Sequence, residues 1–183
     1  MNLKEYINWA NSLDAYEDGA RLSNNKAWGY KTLDKVKVPK FRTNEAKEGD
    51  EGYWHYRDVM LDYWAKKTWP DLKFLNTKIQ IQKPGQICKP HLDFLGYYLE
   101  DVCMAHPGLL KLEHSLDNPA VDVWRMFVAI EDQESGQRFV INNNDWTWKA
   151  GDCIRLNNWQ ALHWTENTSK KNRTIIKITG VNF

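Results

Sequence analysis

The spacing of apolar residues divides the chain into a helical first part and a strand-rich second part. In the first part, apolar residues recur every three or four positions in two segments, Leu3, Tyr6, Ile7, Ala10 and Leu13, and then Tyr53, Tyr56, Met60, Tyr63 and Trp64. This period predicts two amphipathic helices, the second of which ends at Trp69-Pro70. Residues 19–52 are rich in Gly, Asn, Lys and Glu, and they predict a long, partly irregular connection that is either a lid or an exposed loop.

From Phe74 onwards the apolar period changes from that of a helix to that of a strand. Residues 78–82 alternate polar and apolar side chains and stop at the turn signal Pro84-Gly85. Turn residues such as Ser135-Gly136 separate further predicted strands at 86–94, 123–131, 137–141, 145–148, 152–156, 161–165 and 173–181. An insertion over 95–121 is predicted to include a short helix near Tyr97–Met104.

Many short strands after a helical start predict a mainly β fold with flanking helices. The expected core is a double-stranded β-helix, the jelly-roll or cupin-like barrel, with N-terminal helical support. At 183 residues, with no repeat and no linker, the chain is predicted to be one domain, 1–183. Residues 1–73 are then mainly helical support, and residues 74–183 are the double-stranded β-helix core.

Composition and charge narrow the classes of function. Lys plus Arg is 25 and Asp plus Glu is 24, which gives a formal charge of +1. This balance argues against binding to duplex nucleic acid or to an anionic membrane, whereas a phosphate-bearing ligand stays open. The three widely separated cysteines, Cys88, Cys103 and Cys153, fit neither a disulfide framework nor a zinc ribbon. With no secretory signal or membrane span evident, we expect a cytoplasmic protein; the oligomeric state is not predicted.

The candidate chemistry lies in His91, Asp93 and the later His163. On a strand, positions i and i+2 project from the same face, so His91 and Asp93 can converge on one cation. A third ligand has to come from elsewhere in the fold, and His163 lies in a stretch typical of a strand. Two imidazoles and one carboxylate are the ligand set of non-haem iron(II) oxygenases. Arg173, on a following strand, offers a guanidinium fork for a dicarboxylate.

Two stretches around these residues resemble the iron(II)/2-oxoglutarate-dependent dioxygenase superfamily. The first runs from Lys83 to Asp93, and the second includes Trp148–Asp152, Asn157-Asn158, His163, Asn167 and Arg173–Ile178. The second stretch is most similar to the aspartyl/asparaginyl β-hydroxylase-type branch and its phage and bacterial relatives. Some members of that branch lack the carboxylate ligand, whereas this chain has Asp93.

The resemblance implies a set of roles for individual residues. His91, Asp93 and His163 would be the iron ligands and the catalytic centre, and Arg173 would bind the distal carboxylate of the cosubstrate 2-oxoglutarate. Arg125 is similar to a second arginine of the branch and would either orient the cosubstrate or form a structural ion pair. The cofactors implied are Fe(II), 2-oxoglutarate and dioxygen, and the carboxylate of Asp93 favours hydroxylation over halogenation.

The resemblance leaves the primary substrate open between a peptide or protein side chain and a small metabolite. An alternative function is that of a cupin-type metal-binding protein that either has no catalytic activity or does not use 2-oxoglutarate. Arg173 argues against this alternative, because such a protein does not need a dicarboxylate clamp.

Overall fold

The computed structural model describes residues 30–38, 47–48, 54–56, 59–93, 95, 98, 102, 104–105, 122–156 and 161–182. The continuous elements of these residues are eleven strands and the helix α1, with these bounds: β1 Tyr30–Leu33, β2 Lys47–Glu48, β3 Trp54–Tyr56, α1 Val59–Thr68, β4 Lys73–Gln82, β5 Ile87–His91, β6 Asp122–Ala129, β7 Gln137–Ile141, β8 Asn144–Asp145, β9 Cys153–Leu156, β10 His163–Asn167 and β11 Arg173–Asn182. In the insertion, Tyr98, Val102, Met104 and Ala105 have helical backbone, in line with the short helix predicted there. None of the described helices is long and apolar enough to cross a bilayer.

The strands form two antiparallel sheets. The large sheet has seven strands in the order β1-β9-β6-β11-β4-β3-β2, and the small sheet has four in the order β5-β10-β7-β8. Every strand pair is antiparallel, and the longest pairing joins β11 to β4 and β6 on either side. This arrangement confirms the predicted mainly β fold with a double-stranded β-helix core.

The central strands of the large sheet are buried on both faces, because α1 packs on one face and the small sheet packs on the other. Leu61 and Ala65 of α1 pack on the first face, against Met126, Val128, Cys153, Ile176 and Ile178. The alternate residues of the same strands point to the opposite face, where they meet the small sheet in a second cluster: Phe127, Ala129, Ile154 and Ile175 with Phe139 and Ile141. We call the two sheet surfaces that meet here the inner faces.

The second predicted helix is shorter than its apolar period suggests. It begins at Val59, and Trp54–Tyr56, which the period placed inside the helix, form β3 and pair with β4. Aromatic side chains favour strands, and this pairing satisfies backbone groups along the edge of β4. The connection predicted over 19–52 contains β1 and β2, so it is not irregular throughout. The helix predicted over Leu3–Leu13 lies outside the described residues.

Tight turns at residues with positive φ set the registers of the barrel strands. Gly85 and Gly136 have φ values of 83° and 91°, and both lie in turns that the sequence predicts. Asn142 and Asn143, with φ values of 46° and 64°, form the two-residue connection between β7 and β8. Asparagine is among the residues that best tolerate this conformation, so the pair suits a tight hairpin.

Candidate metal centre

The pairing of β5 with β10 brings His91 opposite His163. The register matches His163 with His91 and Thr165 with Cys88, so one extra residue of β5 is accommodated in a β-bulge. As a result, Cys88 and His91 lie on the same side of the strand, with Cys88 Sγ 3.7 Å from His91 Nδ1. β5 ends at His91, so the strand predicted over 86–94 is too long and Asp93 lies two residues beyond it.

His91, Asp93 and His163 form one cluster of potential ligand atoms. One atom from each residue lies within 4.8 Å of the other two. The Nε2 atom of His91 is 3.9 Å from Asp93 Oδ1, and the Nε2 atom of His163 is 3.8 Å from Asp93 Oδ2. The two imidazole rings are 4.4 Å apart between centroids. Ligand atoms at these separations can all contact one small cation placed between them.

Backbone carbonyls orient both imidazoles. His91 Nδ1 is 2.8 Å from the oxygen of Lys89, and His163 Nδ1 is 2.8 Å from the oxygen of Ala161. Because a carbonyl oxygen only accepts, each Nδ1 carries a proton and donates it. An imidazole with its proton on Nδ1 presents the lone pair of Nε2, and the buried Nε2 of His91 has no hydrogen-bond partner. This is the tautomer that a metal-binding histidine requires.

The protonation states of the cluster also suit a cation. Burial lowers the pKa of His163 from 6.5 to about 4, so this imidazole is neutral at physiological pH. Burial alone would raise the pKa of Asp93, but the charges of Arg125 and the two histidines outweigh it and lower that pKa below 3.8. At neutral pH the cluster thus offers an ionised carboxylate and neutral imidazole, the donor set that fits Fe(II).

Two buried cations hold the Asp93 carboxylate. Arg125 Nε donates to Asp93 Oδ2 at 2.6 Å, and Lys177 Nζ donates to Asp93 Oδ1 at 3.2 Å. Arg125 Nη1 also donates to the hydroxyl of Thr179. Of the two roles predicted for Arg125, these contacts correspond to the structural ion pair, and a cosubstrate contact stays a prediction. No sequence motif pointed to Lys177, although its place four residues after Arg173 on β11 puts both side chains on one face.

Arg173 lies on the inner face of the large sheet and is almost fully buried, with 2% of its surface exposed. Its Nη1 donates to Gln82 Oε1 at 3.2 Å, and its guanidinium carbon lies 5.2 Å from the ring centre of Phe139 and 5.7 Å from that of Trp148. The other two nitrogens, Nε and Nη2, have no hydrogen-bond partner. Desolvation lowers the pKa of Arg173 from 12.5 to about 9, so the group stays charged at neutral pH.

A buried hydroxyl lies between the metal cluster and Arg173. Thr165 follows His163 by two residues on β10, so both side chains point to the inner face of the small sheet. Its Oγ1 has no hydrogen-bond partner, and its carbonyl accepts from Gln82, the same side chain that binds Arg173. The ring of Phe139 adjoins both ends of this row, 6.0 Å from His163 and 5.2 Å from Arg173.

All five residues singled out in the sequence are therefore described and buried or half-buried. The structure brings His91, Asp93 and His163 together, places Arg125 on Asp93, and places Arg173 beyond Phe139 and Thr165. Five buried side-chain atoms of the described residues have no hydrogen-bond partner. Four of them, His91 Nε2, Thr165 Oγ1 and Arg173 Nε and Nη2, belong to this one region, and the fifth is Arg155 Nε on β9. Buried polar atoms are rarely left unpaired, so their grouping marks a place for a polar ligand.

The fold is shared with solved structures. The chain is similar to a prolyl-4-hydroxylase from Pseudomonas putida, with 10% identity and a TM-score of 0.53 over 88% of this chain and 97% of that chain. It is also similar to a cupin 2 conserved barrel domain protein from Salinispora arenicola, with 10% identity and a TM-score of 0.42 over 80% of this chain and 89% of that one.

A further similar structure is a 2OG-Fe(II) oxygenase family protein from Burkholderia pseudomallei, with 10% identity and a TM-score of 0.40 over 100% of this chain and 91% of that one. No protein-family model matches the sequence, and neither does any curated protein. At such low identity, likeness to solved structures establishes a fold alone, and that fold is the double-stranded β-helix.

Proposed function

We propose that this protein is an Fe(II)/2-oxoglutarate-dependent oxygenase, and specifically a hydroxylase. The observation that carries the proposal is the buried guanidinium of Arg173, two of whose nitrogens lack a partner. Burying an unpaired charge is costly unless a counter-charge joins it. A carboxylate that accepts from Nε and Nη2 would form the bidentate, charge-assisted pair for which arginine is suited.

The metal would be held by His91, Asp93 and His163. Iron(II) supplies the redox chemistry with dioxygen when it is bound. The residues of this chain contribute the rest: Lys89 and Ala161 fix the imidazole tautomers through their carbonyls, and Arg125 and Lys177 orient the carboxylate. The guanidinium of Arg125 lowers the pKa of Asp93, so this carboxylate is already ionised at neutral pH.

The cosubstrate would lie along the row from the metal cluster to Arg173. Thr165 Oγ1 would donate a third hydrogen bond to the same ligand, and Gln82 would keep the guanidinium in place through its Oε1. Phe139, Trp146 and Trp148 form an aromatic wall beside this row. A dry wall strengthens the charge-assisted contacts and protects the reacting groups from water.

The substrate to be hydroxylated is a peptide or protein side chain or a small metabolite. The resemblance to the aspartyl/asparaginyl β-hydroxylase-type branch supports the first class. A substrate of either class has to bring its reacting group to the cluster of His91, Asp93 and His163.

The experiment that tests the proposal is the formation of succinate from 2-oxoglutarate in the presence of Fe(II) and dioxygen. We expect slow, substrate-free succinate formation by the native protein, abolished in Arg173→Ala and partly retained in Arg173→Lys, which keeps the charge but not the fork. Arg138→Ala is the matched control, because Arg138 is exposed and pairs with Asp145 on the outside of the small sheet. Equal succinate formation by the native protein and Arg173→Ala would exclude the proposed role of Arg173.

The competing proposal is a cupin-type metal-binding protein that does not use 2-oxoglutarate. The observation in its favour is that Asp93 already has two cationic partners, so the carboxylate is satisfied without a metal. This function predicts that the protein binds a divalent metal but that 2-oxoglutarate changes neither its stability nor its spectrum. Binding of 2-oxoglutarate that requires Arg173 would exclude it.

A further inference from the structure

The buried charges of the site do not balance. Among the described residues, the buried ionised side chains are one carboxylate, Asp93, and three cations, Arg125, Arg173 and Lys177. The formal charges of these four side chains sum to two net positive charges. A half-buried fourth cation, Lys78, lies directly opposite Lys177 in the register of β4 and β11 and therefore on the same face.

Loading the site with the proposed ligands does not remove this excess. Iron(II) would add two positive charges, and 2-oxoglutarate would bring two negative ones. The loaded interior would therefore still hold two uncompensated positive charges. Buried, unpaired charge is unfavourable, and such a surplus favours a bound anion.

Lys177 is the cation best placed to bind such an anion. Arg125 is held at two points, by Asp93 and by Thr179, and Arg173 faces the proposed cosubstrate. The ammonium group of Lys177 carries three donors, and its hydrogen bond to Asp93 Oδ1 at 3.2 Å uses one of them. A metal bound by Asp93 would draw on the same carboxylate and weaken its hold on the lysine. The ammonium lies next to the cluster of His91, Asp93 and His163. The reacting group of the substrate has to approach this same cluster.

We propose that the primary substrate carries an acidic group, a carboxylate or a phosphate, and that Lys177 binds this group. This inference rests on the proposed function, and it specifies that the substrate of the proposed oxygenase is negatively charged. A lysine ammonium is a compact point charge, so it accepts either kind of anion. The unpartnered hydrogen-bonding groups of Arg173 and Thr165 are on the cosubstrate row and remain separate from this contact.

The test is an anaerobic titration of the protein loaded with Fe(II) and saturated with 2-oxoglutarate. The probes are inorganic phosphate and acetate, and acetamide serves as the neutral counterpart of acetate. Binding is measured by isothermal titration calorimetry at constant ionic strength. The variants are Lys177→Met, which keeps an unbranched side chain without the ammonium group, Lys177→Arg, which keeps the charge, and Lys170→Met as a control at an exposed lysine between β10 and β11.

We expect phosphate or acetate to bind the native protein and acetamide not to bind. Lys177→Met should weaken anion binding about tenfold or more, as for the loss of a hydrogen bond to a charged group. Lys177→Arg should retain anion binding, and Lys170→Met should match the native protein. Whichever anion binds more tightly identifies the acidic group as carboxylate or phosphate.

Three results would overturn the inference: neither anion binds the loaded native protein, Lys177→Met binds the anion as tightly as the native protein does, or Lys177→Met loses 2-oxoglutarate together with the anion. The last result would assign Lys177 to the metal and cosubstrate site. Failure of the proposed function gives a different result, because 2-oxoglutarate then fails to bind the native protein before any anion is added.

Discussion

Replacing Arg173 with methionine separates a ligand-binding arginine from a structural one. The native guanidinium is buried with one hydrogen bond, to Gln82, and desolvation lowers the pKa of Arg173 from 12.5 to about 9. At 1.36 kcal/mol for each pKa unit, this lowering corresponds to a burial cost of about 5 kcal/mol for the charge. Methionine is also unbranched and adapts to the space beside Phe139 and Trp148.

The contacts that the substitution removes offset much of that cost. The hydrogen bond to Gln82 contributes about 1.5–3 kcal/mol, and the approach to the faces of Phe139 and Trp148 contributes about 1–2 kcal/mol. We therefore expect the free energy of unfolding of ligand-free Arg173→Met to lie within about 2 kcal/mol of the native value, equal or higher. A structural arginine in a satisfied buried network predicts instead a loss of about 3–5 kcal/mol.

The binding of 2-oxoglutarate should respond much more strongly. The two charge-assisted hydrogen bonds that Nε and Nη2 donate to the carboxylate are worth at least about 3 kcal/mol together, so the dissociation constant should rise about 100-fold or more. Chemical denaturation measures the first quantity, and calorimetric titration of 2-oxoglutarate into the metal-loaded protein measures the second. A large loss of stability with unchanged 2-oxoglutarate affinity would refute the reasoning.

Three further predictions concern the other groups of the site. In Asp93→Ala, Arg125 and Lys177 stay buried without their counter-charge, so the free energy of unfolding of the metal-free protein, measured by chemical denaturation, should fall by about 3–5 kcal/mol. The affinity for Fe(II) should be lost as well. Unchanged Fe(II) affinity would exclude Asp93 as a ligand. The pKa of His163 is lower in the folded state, about 4, than its ordinary value of 6.5. The unfolded chain therefore binds the proton first, and metal-free stability should be full above pH 6.5 and fall by up to about 3 kcal/mol as the pH drops towards 4. The same profile in His163→Gln would exclude this cause. Thr165→Val removes an unpartnered hydroxyl, so ligand-free stability should be unchanged within about 0.5 kcal/mol while 2-oxoglutarate binds about fivefold more weakly; unchanged calorimetric affinity would place Thr165 outside the cosubstrate site.

Much of the barrel follows from local signals in the sequence. The alternation of apolar residues predicts β7 at its observed bounds and β11 to within one residue, because strands buried on a regular face repeat with a period of two. Turn glycines with positive φ mark strand boundaries: Gly136 directly precedes β7, and Gly85 lies between β4 and β5. The three- and four-residue spacing of aromatic residues predicts a helix at Trp54–Tyr56, but these residues form a strand. The same short segment can adopt either structure, and its pairing with the distant β4 decides between them.

The candidate site was predictable in its residues but not in its contacts. The order of His91, Asp93, His163 and Arg173 along the chain pointed to one site, and the fold brings the first three together. The bulge in β5, which aligns Cys88 and His91 on one side, depends on pairing with β10 and has no local signature. The ion pair of Lys177 with Asp93 joins residues that are 84 positions apart, and sequence alternation identifies a face without identifying the side chain across it.

The central claim, an iron site that takes a dicarboxylate through Arg173, is tested most directly by anaerobic spectroscopy. Fe(II) and 2-oxoglutarate are added to the native protein, and the visible absorption of a chelated Fe(II)–2-oxoglutarate complex is recorded. We predict a charge-transfer band that saturates at one equivalent of each and is absent in His163→Ala and Arg173→Met at the same concentrations, while Arg138→Ala retains it. A native protein that binds Fe(II) but develops no band at saturating 2-oxoglutarate would contradict the proposed function.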